Sequence, residues 1–332
     1  MTTTPLRRGL PFVAACFAAM LVAVFAAPFV GSTPIALHRV FDRAVPFIDN
    51  IDAQIFFIAR LPRAVAAALV GGTLAAAGVV FQGLLRNPLA TPYTLGVSAG
   101  ASLGAMVAIT FNLVLPTGGV APASLAGAML AVLVVYGLST IRHRGFSTTV
   151  LLLAGVTLNA FFSALILFVQ YMGDFAQTYR ALRWLMGDLD VAGYTPIVAA
   201  LPLIVIAFVA FAWLARPLNL LSLGADAAAT RGIQVERAQR VAFFGASLAT
   251  GAAVSVGGPI GFVGIIVPHL VRLFVGSDHR LVLPASTFFG AAFLVCCDAV
   301  ARIVLAPIEL PVGIVTAIIG GPFFLWLLVR HR

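Results

Sequence analysis

Arginine is the only strongly basic side chain in this chain, and the absence of lysine limits what its residues can do. All 20 of the basic residues are arginine. A phosphate-binding loop of the form GxxxxGK(S/T) needs its lysine to reach the phosphates of a nucleotide. The chain therefore carries no ordinary loop of this kind, and any ATP that drives it has to be bound by a partner.

Other side chains that act in catalysis or bind metals are dispersed along the sequence. The five histidines stand far apart, and the three cysteines lie within apolar runs. Their positions are His38, His143, His269, His279 and His331, and Cys16, Cys296 and Cys297. This is neither a disulfide framework nor the spacing of metal ligands. No acid pair, activated nucleophile or metal cluster is apparent, so the sequence predicts no catalytic centre and no metal site.

Three arginines stand at the ends of apolar runs, where a charge needs an explanation. Arg60 and Arg63 begin the second run, and Arg302 ends the ninth. Guanidinium groups bind carboxylates in bidentate pairs, so the three could form a collar that docks acidic residues of a partner. Alternatively, each side chain simply extends towards water from the end of its helix. Asp298 lies four residues before Arg302, a spacing that predicts an ion pair on one helix.

The composition indicates that the arginines, histidines and cysteines named above lie on or between membrane helices. The chain is 61% hydrophobic and only 9% charged, whereas a soluble fold needs far more charge on its surface. Apolar runs of about 20 residues recur along the whole length, each long enough to cross about 30 Å of hydrocarbon. These runs are too long and too uniformly apolar for the strands of a membrane barrel. The sequence thus predicts an all-α, polytopic integral membrane protein.

The hydrophobic pattern predicts about ten transmembrane helices. Their ranges are 11–31, 55–83, 93–112, 120–141, 147–171, 194–214, 238–256, 260–275, 283–305 and 310–330. Both termini then lie on one side, whose loops hold 13 arginines against seven on the other. The positive-inside rule places that side in the cytoplasm. The first run also has features of a signal peptide, but the arginine distribution favours its retention. Because the arginines follow topology, we expect no nucleic-acid partner.

The outer loop 172–193 has a helical pattern of its own. It contains the sequence YRALRWLMGDLD, in which charged and apolar residues are mixed. Aromatic residues gather at the level of lipid headgroups, and amphipathic helices lie in the plane of the membrane surface. The loop therefore predicts a short amphipathic helix at the interface, with Tyr179 and Trp184 at headgroup level.

The inner loop 216–240 contains an alanine-rich segment bracketed by Gly224 and Gly232. Asn219 or Ser222 can cap a short helix at this place. A solvated loop has no need of so many alanines, whereas a compact helix with a small face fits a groove in a partner. Glycine and alanine also crowd the predicted membrane helices. There they predict either close packing or a pathway wall that slides.

Four blocks of the sequence together resemble one family of membrane transport proteins. The blocks are RLPR (60–63) with AGVVFQGLLRNPLATPYTLGVSAGA (77–101); LLLAGVTLNA (151–160) with RWLMGDL (183–189); LSLGADAAATRGI (221–233); and GPIGFVGIIVPHLVRLFVGSDHRLVLP (258–284) with ELPVGIVTAIIGGPFFLWLL (309–328). Their order and spacing, over nearly the whole chain, are similar to those of FecCD-type permease subunits of type II ABC importers. These importers take up ferric siderophores, haem or cobalamin.

The resemblance implies an architecture, partners and an energy source. It implies one transmembrane permease domain over 1–332, with a coupling helix in the cytoplasmic loop 216–240, in a bacterial inner (plasma) membrane. A second permease copy in a homodimer, two ABC ATPase subunits and a periplasmic substrate-binding protein complete the importer. The chain is then a transport subunit and no enzyme. It has no cofactor of its own, and ATP and Mg²⁺ are used by the partner ATPase.

The resemblance also implies roles for individual residues. Binding-protein docking falls to Arg60, Arg63 and Arg302; gate or pathway positions are Gln82, Asn87, Pro88, Ser147 and Thr148; and ATPase coupling falls to Leu223, Gly224, Ala225, Asp226, Ala229, Arg231 and Gly232. In such importers ATP binding moves the coupling helices as rigid levers, and the gate changes side. Residues 87 and 88 would then end one pathway helix in a cytoplasmic turn.

Three other functions were weighed against this one. An ion-coupled secondary transporter of a small solute is the main alternative, but it usually needs acids within the membrane, and only Asp298 lies in a predicted span. A membrane enzyme would need a clustered site, and a channel would need a filter motif; neither is apparent. A ferric siderophore is the favoured substrate because that group is the broadest, with haem and cobalamin left open, and no residue decides among them.

Overall fold

The computed structural model describes residues 5–42, 44–113, 119–141, 148–191 and 193–330, and within them it is all-α. The helices are α1 (Pro5–Ala26), α2 (Leu37–Val40), α3 (Ile51–Gln54), α4 (Leu61–Leu85), α5 (Val97–Thr110), α6 (Ala121–Ile141), α7 (Thr148–Tyr171), α8 (Phe175–Leu185), α9 (Thr195–Leu221), α10 (Ala225–Ala229), α11 (Val235–Gly257), α12 (Val263–Val275), α13 (His279–Ile303) and α14 (Val312–Arg330). A π-helical turn, Ile55–Arg60, joins α3 to α4. The all-α prediction is confirmed for these residues.

Ten of these helices coincide with the predicted membrane helices. Seven helical stretches are long and apolar enough to span a membrane: Gly9–Phe29, Ile51–Leu85, Ala121–Thr140, Thr149–Tyr171, Thr195–Leu221, Val235–Gly257 and His279–Ile303. The apolar helices α5, α12 and α14 are shorter. At about 1.5 Å per residue, α5 and α12 each cover only about 20 Å of a hydrocarbon layer of about 30 Å. Non-helical chain must therefore cover the rest of these two crossings.

The helix predicted in the outer loop is present as α8. The Oδ1 atom of Asp174 accepts a hydrogen bond from the main-chain nitrogen of Gln177 at 2.7 Å. In return, Gln177 Oε1 accepts one from the main-chain nitrogen of Asp174 at 3.0 Å. This reciprocal pair is a capping box, which fixes the start of the helix. Tyr179 is exposed and Trp184 is half-buried on it. The predicted helix is confirmed, and its place at the membrane interface stays a prediction.

Helix α4 lies at the centre of the bundle and is buried along almost its whole length. It packs against α11, α12 and α13. A Cβ atom at Gly71 would lie 2.4 Å from the carbonyl oxygen of Gly290 on α13. One at Gly78 would lie 2.1 Å from the carbonyl oxygen of Gly264 on α12. Backbones that approach this closely leave no room for a side chain, so the close-packing interpretation of these small residues is confirmed.

The contact between α5 and α6 is of the same kind and provides a prediction with a matched control. A Cβ atom at Gly127 would lie 2.1 Å from the carbonyl oxygen of Gly100, whereas one at Gly137, on the same helix, meets nothing within 4 Å. We expect Gly127→Ala to lower the free energy of unfolding by about 1–3 kcal/mol through overpacking. Gly137→Ala should instead stabilise the helix by up to about 1 kcal/mol. Thermal unfolding in detergent measures both, and equal shifts would contradict the contact.

Candidate functional site

The three outer arginines that the sequence singles out meet in one buried cluster. Arg63 lies in the first turn of α4, and Arg302 in the last turn of α13. Asp298 lies between them, with Oδ1 2.9 Å from Arg63 Nε and Oδ2 3.2 Å from Arg302 Nε. Glu309 also pairs with Arg63, and Arg60 lies one turn before it. We call these five residues the outer arginine cluster; the predicted pair of Asp298 and Arg302 is confirmed.

The remaining donors of the cluster bind main-chain carbonyls in the segment that follows α1. The Nη1 and Nη2 atoms of Arg302 donate to Val30 O at 2.9 Å and to Ala27 O at 3.2 Å. Arg60 Nη1 donates to Pro28 O at 3.2 Å, and its Nη2 donates to a further carbonyl of this segment. Ala27 O also accepts the main-chain N–H of Val30 at 3.1 Å, at the end of a short 3-10 helix over Ala27–Phe29. The cluster thus fastens this segment, the start of α4 and the end of α13 into one block.

The outer arginine cluster is shielded from the surface. Arg60 and Arg63 are 7% exposed, Arg302 is 2% exposed and Asp298 is fully buried. Charges buried in this way need to be paired, and Asp298 forms an ion pair with each of Arg63 and Arg302, although its Oδ2 accepts no hydrogen bond. Glu309 is the most accessible member, with 35% of its side chain exposed. Docking through the arginines therefore stays a prediction, and charge reversal at Arg63 would disturb the fold as well as any docking surface.

The predicted gate turn begins where α4 ends. Arg86 adopts a left-handed conformation, with φ at 48°, which terminates the helix. Asn87 then closes a turn, because its Oδ1 accepts a hydrogen bond from Leu89 N at 2.9 Å, an arrangement that asparagine favours. Pro88 has no N–H to continue the helix. Arg86 and Pro88 are exposed and Asn87 is half-buried. Because Arg63 lies in the first turn of α4 and this turn follows its last, the turn lies at the end of the bundle opposite the outer arginine cluster.

Gln82, predicted at the gate, lies one turn before this end of α4 and is buried. Its Nε2 donates to Gly264 O at 3.1 Å, and its Oε1 accepts from Arg272 Nη1. Both partners belong to α12, so Gln82 bridges two central helices and supplies an acceptor to a guanidinium group. Ser147 lies outside the described residues, and so does the side chain of Thr148, with which α7 begins. The gate and pathway roles of these residues stay predictions.

Two stretches without regular α-helix meet inside the bundle. One is 86–96, before α5, and the other is 258–262, before α12. They border a cavity of about 200 Å³ lined by Leu74, Thr91, Pro92, Tyr93, Gly261, Phe262, Gly264 and Ile265. Non-helical backbone at membrane depth is tolerated where it is buried in protein or lines a cavity. These stretches provide the length that α5 and α12 lack, and their cavity is a candidate section of a transport pathway.

Sequence reasoning missed the second stretch and a residue that supports the first. Phe262 has φ at 68°, a costly conformation for a bulky side chain, and its ring packs against Gly320 of α14. Asn159 on α7 donates from Nδ2 to Tyr93 O at 2.7 Å, which satisfies a carbonyl outside the regular helices. A lone amide within the apolar block LLLAGVTLNA was the available signal, since an amide in lipid needs a partner.

The coupling segment predicted between α9 and α11 contains the short helix α10. Gly224 precedes it with φ at 122° and Gly232 follows with φ at 81°, angles that suit glycine. Ala228 is fully buried and anchors α10 against its neighbours. The predicted coupling residues are exposed or half-buried: Leu223, Asp226, Ala229, Arg231 and Gly232 are exposed, and Gly224 and Ala225 are half-buried. The segment is thus a small accessible face fixed by one buried alanine.

The side-chain cap predicted for this short helix is wrong. Gly224 occupies the N-cap position and makes no side-chain hydrogen bond. Asn219 instead faces α13, where its Nδ2 donates to Asp278 Oδ1 at 2.6 Å, and Ser222 Oγ donates to Asn219 O at 2.7 Å. The reason is that α9 continues to Leu221, beyond its predicted end. Asn219 therefore belongs to the last turn of a long helix and joins it to the start of α13.

Both the sequence and the fold resemble those of known transport proteins. The model of the FecCD transport family matches residues 19–330. The cobalamin import system permease protein BtuC of Halobacterium salinarum is 46% identical over 269 residues, covering 81% of this chain and 72% of that protein. The hemin transport system permease protein HmuU of Yersinia pestis is 39% identical over 277 residues, covering 82% of each. A solved inward-facing ABC transporter assigned to the metal-chelate type matches with a TM-score of 0.83 at 30% identity, over 96% of this chain and 99% of that one.

Proposed function

The chain belongs to the FecCD transport family, and from this premise we propose that it is the permease through which a metal chelate crosses the membrane in an ATP-driven importer. The coupling segment is the observation that carries the proposal. It presents a small accessible face near the start of α13, whereas the outer arginine cluster lies at the far end of that helix. The end of the bundle that carries the coupling segment is therefore suited to bind an ATPase partner. The end that carries the outer arginine cluster is suited to receive the substrate.

We propose that two ABC ATPase subunits bind this face. The chain has no lysine for a phosphate-binding loop, so ATP and Mg²⁺ are held by these partners. Closure of the ATPase dimer on ATP would push α10, which contacts α9 and α11. Because Ala228 packs α10 firmly against its neighbours, the push would pass to those helices as a rigid-body movement. The two stretches without α-helix around the cavity, the first of which contains a 3-10 helix over Pro92–Leu95, would then change their accessibility.

A second copy of this chain and a substrate-binding protein complete the proposed importer. Helices α7 and α14 expose large apolar side chains, among them Leu153, Phe161, Ile318 and Leu325. Surfaces of this kind meet lipid or another membrane subunit. On the outer side, acidic residues of the binding protein would compete with Glu309 for the arginines. The ATPase subunits use cytoplasmic ATP, so the coupling segment lies on the cytoplasmic side. Ten membrane helices then place both termini on that side as well, in agreement with the arginine distribution.

The proposed substrate class is a metal chelate, such as a ferric siderophore, haem or cobalamin. Relatives named for cobalamin and hemin import, and the similar structure of the metal-chelate type, support this class. The cavity between the non-helical stretches has no charged side chain among its described lining residues. A smooth wall of this kind offers little affinity to any one substrate. Selection among the three substrates would then fall to the binding protein.

Uptake by the reconstituted importer tests this function. The permease is placed in liposomes with its ATPase and binding-protein partners, and the accumulation of labelled cobalamin, haem and ferric siderophore is measured. We expect one of them to accumulate against a gradient when ATP is supplied to the ATPase. An ATPase without its phosphate-loop lysine is the control and should support no accumulation. Uptake driven by a proton or sodium gradient, without the partners, would contradict the proposal and indicate a secondary transporter.

A further inference from the structure

An apolar groove on the outside of the helix bundle ends at a basic residue. It lies among α1, α4, α9 and α13 and consists of two adjoining cavities of about 610 and 500 Å³. The two cavities share four lining residues, Phe208, Ala212, Thr287 and Phe288. Towards one end the groove is lined by Met20 and Val65, and at the other end by Arg280. The groove is therefore apolar over most of its length and charged at one end.

The length of the groove matches one leaflet of a bilayer. Along α13 the lining runs from His279 to Ala291, a rise of about 18 Å at about 1.5 Å per residue. Half of a hydrocarbon layer of about 30 Å is about 15 Å. Thr287, in the middle, donates its hydroxyl to Leu283 O at 2.9 Å within its own helix. The groove wall therefore presents an apolar surface to an extended chain of this length.

The charged end lies at the cytoplasmic level of the membrane. Arg280 is the second residue of α13 and is exposed. No ion pair of its guanidinium group is found among the described residues. The adjacent carboxylate, Asp278, accepts the main-chain N–H of Arg280 at 3.0 Å and the side-chain amide of Asn219. The Arg280 side chain is thus available to an anion that approaches from the membrane surface.

An aromatic residue and a second arginine lie beside the middle of the groove. Trp213 follows Ala212 on α9 and is about half exposed, and the guanidinium group of Arg237 lies 5.8 Å from its ring centroid. Tryptophan gathers at the membrane interface, where its ring is apolar and its N–H reaches water. Basic pockets between membrane helices on the cytoplasmic side bind anionic lipid headgroups. An apolar groove that ends at Arg280 has the chemistry of a phospholipid site.

We propose that this groove binds one anionic phospholipid of the inner leaflet. An acyl chain lies along Phe208, Ala212 and Phe288, and the phosphate pairs with Arg280. This site goes beyond the proposed transport function, and only its assignment to the inner leaflet rests on the orientation proposed with that function. A zwitterionic lipid would fill the same groove, but its own ammonium would weaken the attraction to a single arginine. The headgroup charge is therefore what distinguishes the proposed ligand from bulk lipid.

The charge requirement is tested with phosphatidylglycerol and phosphatidylcholine as probes. The purified full chain is equilibrated with an equal mixture of the two, and retained lipids are counted by native mass spectrometry. We expect the unmodified chain to retain one phosphatidylglycerol in preference to phosphatidylcholine. Arg280→Gln should lower this preference about fivefold, since one arginine near an anionic surface contributes about 1 kcal/mol. Arg216→Gln, an exposed arginine of α9 outside the groove, is the control and should change nothing.

The groove itself is tested by filling it. Ala212→Phe places a ring where the two cavities join, and Ala199→Phe places the same ring on an exposed part of α9 outside the groove. We expect Ala212→Phe to lose the retained lipid and Ala199→Phe to keep it. Retention by Ala212→Phe, equal effects of the two arginine substitutions, or no retained lipid on the unmodified chain would each overturn the proposal. Circular dichroism checks that every variant is folded.

Discussion

Replacing Asp298 with alanine is expected to lower the free energy of unfolding by about 3–5 kcal/mol. This carboxylate is fully buried and pairs with Arg63 at 2.9 Å and with Arg302 at 3.2 Å. Its removal leaves two guanidinium groups that cannot reach water, because they are 7% and 2% exposed. An unpaired buried charge costs far more than the pair contributes. Thermal or denaturant unfolding of the purified chain in detergent measures the loss.

A matched control separates burial from charge alone. Asp190 also faces an arginine on the outer side, but its side chain is 64% exposed and lies 3.7 Å from Arg183. Exposed pairs contribute about 0–1 kcal/mol, so Asp190→Ala should have a small effect. Adding Arg302→Met to Asp298→Ala should recover part of the loss, because Asp298 is the only carboxylate that pairs with Arg302 among the described residues, whereas Arg63 keeps Glu309. Equal stabilities of the two aspartate variants would refute the buried cluster.

Replacing Ala229 with tryptophan is expected to reduce ATP-driven uptake at least about tenfold, the factor that corresponds to about 1.4 kcal/mol. Ala229 is exposed on the short helix α10, so the ring meets no part of this chain's core. According to the proposed function, this small face seats in a groove of the ATPase, and a large side chain would hold the two surfaces apart. Transport and ATP hydrolysis are measured on the same proteoliposomes, because loss of coupling lowers uptake more than hydrolysis.

Ala44→Trp provides the control for this experiment. Ala44 is also exposed, but it lies in the loop between α2 and α3, on the side of the outer arginine cluster. The substitution adds the same ring at the opposite end of the bundle, so uptake should stay close to that of the unmodified importer. Size-exclusion chromatography establishes whether the ATPase subunits remain bound. Normal uptake with Ala229→Trp would remove the coupling role from this segment.

Several features of this protein follow from local pattern and were predicted from it. Each membrane helix needs a long apolar run, so all ten appear in the sequence before any contact is known. The amphipathic loop around Tyr179 predicts α8 in the same way. The two glycines that bracket α10 predict a short helix, because each ends a helical segment with a backbone angle that other residues resist. The pair of Asp298 and Arg302 follows from a separation of four residues on one helix.

Other features were predicted wrongly or were missed, because they depend on contacts between helices that are distant in the sequence. Asn219 was expected to cap α10, but α9 continues past it, and its amide meets α13 instead. Residues 260–262 were included in a predicted helix that begins at 260, since a glycine-rich apolar segment has no local feature that separates a helix from a buried loop. The partner of Asn159 is a carbonyl of Tyr93, 66 residues away in the chain, which no local pattern encodes.

The sequence by itself determined the positions of the apolar membrane helices, the lack of a phosphate-loop lysine and the family, because these depend on composition, run length and the order of motifs. Only the tertiary structure decided the environment of the outer arginines. Sequence places Arg60, Arg63 and Arg302 at helix ends, where either solvent or a partner could receive them. Burial is a property of the neighbours that close over a side chain. Here those neighbours are the segment after α1 and the carboxylate of Asp298, which convert an expected exposed collar into an internal fastening.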